Sequence, residues 1–140
     1  MCCDTNGRLM WANQELPYEG GFGPATSPVA TDGMVVVVSD PPVGRSRVWA
    51  LDGGDGAVRW KREWVADERM TSGNNRTPVV VSVRGRSALA HWGYDRLRLL
   101  DTASGEDVAV FRFEPRPMDV VASAACDGRH LYMAKTGQTD

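Results

Sequence analysis

The sequence has no apolar run long enough to cross a membrane as a helix. Its longest, Met34-Val35-Val36-Val37-Val38, is five residues, against the ~20 that a spanning helix needs. It has no excess of charge: 16 Lys plus Arg against 18 Asp plus Glu leave −2. That balance lacks the basic stripe by which nucleic acid or an anionic membrane is attracted. Cysteine is scarce. Cys2, Cys3 and Cys126 make neither a disulfide framework nor a zinc set, and Cys126, alone in a Val/Ala-rich segment, reads as a small buried hydrophobe. The opening Met1-Cys2-Cys3-Asp4 lacks the basic-then-apolar layout of a secretory signal. No stretch of ten or more residues keeps a clean 3.6-residue period, although 66–70 has room for one helical turn. Glycine and proline, by contrast, are plentiful: 15 and 8 of the 140 residues. So many helix breakers exclude a helical bundle. With 42% apolar and 24% charged residues, the chain still has the composition of a folded domain.

The glycines are not scattered. Gly7, Gly56 and Gly105 stand 49 positions apart. Each follows a polar turn that starts at an aspartate, Asp4, Asp52 or Asp101, and the first two are followed four residues later by Trp11 and Trp60. The third copy has Ala109 there. A second column begins with a small hydroxyl residue, in Ser27-Pro28-Val29, Thr77-Pro78-Val79 and Ser123-Ala124-Ala125, at spacings of 50 and 46. Two of these segments run on to Asp-Gly, at Asp32-Gly33 and Asp127-Gly128, a strong hairpin signal. Two columns in step define a repeat.

Within one period the elements read as short strands: 27–30, 34–39, 47–51 and 57–63, then 77–82, 87–92, 96–100 and 107–113. Four antiparallel strands per 45 to 50 residues is the arithmetic of a β-propeller blade. The fold expected is therefore all-β: an incomplete ring of about three blade-equivalents. Residues 1–14 are expected to end one blade, 27–64 and 77–113 to be whole blades, and 122–140 to begin another. Residues 35–38, apolar without alternation, suit an inner strand covered on both faces. Such a piece is expected to be internal to a longer protein, or to take its remaining blades from another chain.

The segments Ala50-Leu51-Asp52-Gly53-Gly54-Asp55-Gly56-Ala57-Val58-Arg59-Trp60 and Leu99-Leu100-Asp101-Thr102-Ala103-Ser104-Gly105-Glu106 resemble the A-L-D-x-x-T-G-x-x-x-W repeat of the PQQ-like β-propellers. Residues 27–37 resemble the S-P-V-x-x-D-G-x-V-Y-V strand pair of the same repeat. Asn6 and Asp55 depart from it, standing where Thr is usual, and the first turn is one residue shorter if Asp4 is its aspartate. The resemblance implies an eight-bladed ring in which the tryptophans pack between blades. Asp4, Gly7, Trp11, Asp52, Gly56, Trp60, Asp101 and Gly105 would then be structural motif residues. It implies no single chemistry. Quinoprotein dehydrogenases of this superfamily hold pyrroloquinoline quinone and Ca²⁺ on the axis, whereas the outer-membrane assembly lipoprotein BamB has the ring without the cofactor.

Other candidate groups carry less. Cys2-Cys3-Asp4 resembles the adjacent cysteine pair of quinoprotein methanol dehydrogenases, yet here it sits in the strand entering a repeat turn. His91 and His130 lack ligands at metal-binding spacing and read as strand polar residues. Asp67-Glu68 and Glu106-Asp107 read as solvated surface. Asn74-Asn75-Arg76 reads as turn and cap residues, with a ligand-lining loop as the alternative. Gly20-Gly21-Phe22-Gly23-Pro24 lacks the Lys-Ser/Thr ending of a phosphate loop.

The function expected is a non-catalytic scaffold of a bacterial periplasmic or otherwise extracytoplasmic protein. It has no catalytic, cofactor or metal residues of its own, and its partner is a protein or the remaining blades. The isolated chain is expected to self-associate. The alternatives are part of a PQQ- and Ca²⁺-dependent alcohol or sugar dehydrogenase, or a sensor propeller attached to a signalling kinase.

Overall fold

The computed structural model describes residues 1–16, 26–39, 45–65, 76–92, 96–112 and 123–133. Among them every regular element is a strand, and pairing is antiparallel throughout. Two four-stranded meanders form the body of the molecule. The first joins β3 (Val29–Thr31), β4 (Met34–Ser39), β5 (Arg45–Asp52) and β6 (Val58–Val65) in sequence order. The second joins β7 (Val79–Val83), β8 (Arg86–Trp92), β9 (Arg96–Asp101) and β10 (Asp107–Arg112) in the same way. A two-stranded pair precedes them, β1 (Cys2–Cys3) with β2 (Leu9–Trp11), and another follows, β11 (Ala125–Cys126) with β12 (Leu131–Tyr132).

Local chemistry sets the strand limits. β3 and β7 begin just after Pro28 and Pro78, which have no N–H for a ladder. β3 and β4 are joined by Asp32-Gly33, both at positive φ (49° and 71°), the backbone of a two-residue hairpin turn. β7 and β8 turn in the same way on Arg84-Gly85 (52° and 78°), a turn without the Asp-Gly signal. The helical turn considered at 66–70 lies outside the described residues, as do Phe113 and the glycine-rich 20–24.

The core is a seam. Met34, Val36, Val38, Val48, Ala50 and Trp60 of the first sheet pack against Leu89 and Leu100 of the second. Across the second sheet, Ala90, Trp92 and Leu97 pack with Leu131 of β12. Two strands are covered on both faces: β5, where Val48, Trp49, Ala50 and Leu51 are all buried, and β8, where Ala88, Leu89, Ala90, His91 and Trp92 are. In β4, Val36 and Val38 are buried but Val35 and Val37 only half so, so the both-face burial expected there is met only in part. Cys126 is half-buried, not buried as expected: it sits in a two-residue strand, and its Sγ accepts the Gly128 N–H at 3.3 Å.

Candidate functional site: the seams between blades

The aspartate of each repeat turn organises its own loop. Asp52 Oδ1 accepts the Gly54 N–H at 2.8 Å, and Oδ2 takes Arg59 Nη2 at 2.6 Å and Nε at 3.0 Å. Asp101 Oδ1 accepts the N–H groups of Ala103 and Ser104, each at 3.0 Å. Asp4 Oδ1 accepts those of Asn6 and Arg8. Arg59, followed by the Gly54 N–H, holds the Asp52 carboxyl below the usual range. The Ser104 N–H leads the same effect at Asp101. Each turn closes on its glycine: Gly7, Gly56 and Gly105 donate their N–H to the carbonyls of Asp4, Asp52 and Asp101.

The tryptophans cross to the next sheet. Trp11 donates Nε1–H to the Gly53 carbonyl at 3.0 Å, and Trp60 donates to the Thr102 carbonyl at 2.8 Å. Their rings lie over Gly56 and Gly105. A Cβ on Gly56 would collide with the Trp11 ring, and one on Gly105 would come within 2.5 Å of Trp60 Cε3. At φ +76° and +70°, glycine is required there twice over, by backbone and by space. Asn13 Nδ2 adds a bond to the Gly56 carbonyl at 2.8 Å. Thr102 Oγ1, buried, adds one to Asp32 of the preceding sheet at 3.0 Å.

The hydroxyl column makes a second line of ties. Ser27 N–H donates to Thr77 Oγ1 at 3.0 Å, and Thr77 N–H donates to Ser123 Oγ at 3.1 Å. A short hydroxyl residue is needed because its acceptor must reach a backbone N–H of the sheet before it.

The outer side of the seam between the two four-stranded sheets holds an open cleft of about 330 Å³. Lys61, Arg62, Glu63 and Trp64 of β6 form one wall, and Arg98, Leu100 and Asp107 the other. Glu63 meets Lys61 Nζ at 3.1 Å and the guanidinium groups of Arg45 and Arg47 at 3.2 and 3.6 Å. Lys61 leads in holding its carboxyl low. Arg98 meets Asp107 at 2.6 Å and lies 4.8 Å from the Trp64 ring centre. Asp107 is thus ion-paired, not merely solvated surface.

Cys2 lies in β1, half-buried and opposite Trp11, and Cys3 is exposed; both are free thiols. His91 is buried in β8 with its ring 5.4 Å from that of Trp64. His130 lies in the turn before β12, not in a strand, with Nδ1 3.2 Å from Asp127 Oδ2. Asp127 Oδ1 also accepts the His130 and Arg129 N–H groups, and Oδ2 takes the Tyr132 hydroxyl. These donors, the His130 N–H first, pull its carboxyl far down, and the carboxylate pushes the Tyr132 hydroxyl up. Arg76 is buried, donates to the Trp92 carbonyl at 3.1 Å and lies over the Trp92 ring at 4.4 Å. A loop reading of 74–76 missed this, because nothing local marks an arginine for burial. Asn74, Asn75, Asp67 and Glu68 lie outside the described residues.

Among the described residues no group of three or more His, Cys, Asp or Glu is placed to hold a metal ion, and no helix is long and apolar enough to cross a membrane. No curated protein matches the chain. Among solved structures it is similar to the crystal structure of BamB from Moraxella catarrhalis, with a TM-score of 0.66 at 19% identity. That match covers 91% of this chain and 38% of the other, so the chain spans well under half of the relative's length. The likeness shows a β-propeller fold. The family model described as outer membrane protein assembly factor BamB matches residues 1–136. The chain therefore belongs to that family of PQQ-like propellers.

Proposed function

We propose that the chain is a non-catalytic propeller segment serving as a binding and assembly scaffold in a bacterial protein exposed outside the cytoplasm, in the periplasm or another extracytoplasmic setting. The observation that carries this reading is where the repeat residues are engaged. Trp11, Trp60, Gly56, Gly105 and the hydroxyls of Thr77 and Ser123 all hold one blade to the next. Of the cleft charges, Lys61 pairs with Glu63 and Arg98 with Asp107. What faces outward includes large apolar side chains, Leu9, Met10, Val108, Val110 and Phe111, of the kind that mark protein contact surfaces when grouped. The family match and the BamB neighbour support a role in holding proteins together. On this reading the motif residues are structural, and the isolated chain self-associates through its uncovered apolar surface.

Titration with PQQ and Ca²⁺, followed by absorbance and thermal shift, tests the scaffold reading against the dehydrogenase one. No response is expected from the chain or from its parent protein, and the parent is expected in the cell-envelope fraction. A micromolar, Ca²⁺-dependent response of the parent would overturn the reading and make Cys2 and Cys3 the first residues to substitute.

A further inference from the structure

The cleft on the outer side of the seam lies between the two four-stranded sheets, and its charges do not balance. Lys61, Arg62 and Arg98 line it together with Glu63 and Asp107, and Arg45 and Arg47 reach Glu63 from β5. Five cationic side chains therefore meet two carboxylates, a local surplus of three positive charges in a chain whose net charge is −2. We propose that this cleft binds an acidic, extended segment of a partner protein, whose carboxylates pair with Arg62 and Arg98.

These two arginines hold the donors left over. Glu63 is shared among Lys61, Arg45 and Arg47. Arg98 directs Nη1 to Asp107 at 2.6 Å, and its Nε is enclosed without a partner. Strand alternation sets Arg62 on the same side of β6 as Trp60 and Trp64, the side that packs into the seam. Arg62 is half-buried there, and its side chain makes no hydrogen bond or ion pair among the described residues. A guanidinium with unmet donors in a partly dehydrated site gains most from a carboxylate, whose two oxygens match its fork. The Trp64 ring, against which Arg98 and His91 both pack, gives the cleft a flat wall beside those donors.

Volume and lining decide the kind of ligand. About 330 Å³ has room for a few side chains and none for a folded domain. The β6 wall runs over four consecutive residues, about 10 Å of strand, which suits a short stretch of extended peptide. Five of the seven lining residues are charged, unlike the mainly apolar lining of small-molecule pockets. The assignment rests on the scaffold reading in one respect, that the ligand is part of a protein.

The test is fluorescence anisotropy of a dye-labelled peptide of alternating Glu and Ser, titrated with the 140-residue chain at low salt. Saturable binding is expected, and is expected to disappear in about 0.5 M salt and with Gln in place of Glu. Arg62→Gln is expected to weaken it about tenfold or more, and Arg62→Lys by less, since lysine keeps the charge without the fork. Arg59→Gln removes the same charge from the same strand, at a side chain paired with Asp52 outside the cleft, and is expected to change little. Absent binding, or equal losses from Arg62→Gln and Arg59→Gln, overturns the proposal. So does inorganic phosphate that displaces the peptide at matched concentration, because the cleft would then be a small-anion site. Should Arg62→Gln not fold, the indole N–H signals of the unaltered chain decide the matter. The peptide is expected to move that of Trp64 and spare that of Trp11; equal or absent shifts overturn the assignment. Peptide binding beside a quinone response of the parent supports the cleft and sinks the scaffold reading, whereas absence of both removes the cleft alone.

Discussion

Gly105 and Gly128 share a backbone conformation, with φ of +70° and +90°, and differ in what lies above them. An alanine at Gly128 meets open space, so its cost is the left-handed backbone alone, about 1–2 kcal/mol. An alanine at Gly105 must also displace the Trp60 ring, which brings the expected loss to about 2–5 kcal/mol. Urea midpoints of Gly105→Ala and Gly128→Ala give the difference, and equal values would mean that Trp60 does not cover Gly105. Trp60→Phe keeps a ring but strands the Thr102 carbonyl, an expected loss of about 1–3 kcal/mol by the same measurement. The turn aspartates add a pH dependence. Asp52 and Asp101 titrate lower in the fold than in the unfolded chain. Their contribution is therefore present above the unfolded carboxylate range, and is lost as pH falls through about 4 toward the folded values. Asp101→Asn should flatten the acid side of a stability–pH curve, and an unchanged slope would show that the turn does not depend on the charge.

Among the elements, the two outer strands differ in how they meet solvent. β6 exposes Arg59, Lys61 and Glu63, charges of the kind that blunt a sheet edge against pairing. β10 exposes Val108, Val110 and Phe111 at 42%, 40% and 54%, and among the described residues pairs only with β9. Self-association of the isolated chain is expected to run through β10. Val110→Lys should lower the association constant seen by sedimentation, while the same change at Val65 on β6 should have less effect. Equal effects would place the contact elsewhere. Strand order and turn positions were legible in the sequence because they rest on local chemistry, proline before β3 and β7 and glycine at the turn ends. The place of the β7–β8 turn was legible too, but its conformation was not, since Arg84 at positive φ has the wrong residue type for it and is held there by the ladder on either side. Nor was the half-burial of Cys126, which lies in a strand of two residues.

At the scale of the whole molecule, the 49-residue period marks which residues are equivalent in successive units but not which of them touch. Spacing alone says that Trp60 and Gly105 belong to successive units; that the first lies over the second is a matter of twist and sheet distance. The buried pair of Arg76 and Trp92 was invisible for the same reason, being set by tertiary packing. The seam has a further consequence, one of symmetry. A contact in which one partner supplies the ring and the other the turn is heterologous. Repeated between copies it generates closed rings or open filaments, never a two-fold dimer. Strand-edge pairing through β10 is self-complementary and stops at two. Alanine at 109 withholds the ring that the first route needs from β10, so the chain is expected to associate by the second and to sediment as a monomer–dimer system. Ala109→Trp would open the first, and light scattering that then climbs without a plateau would mark polymer growth from a single restored side chain.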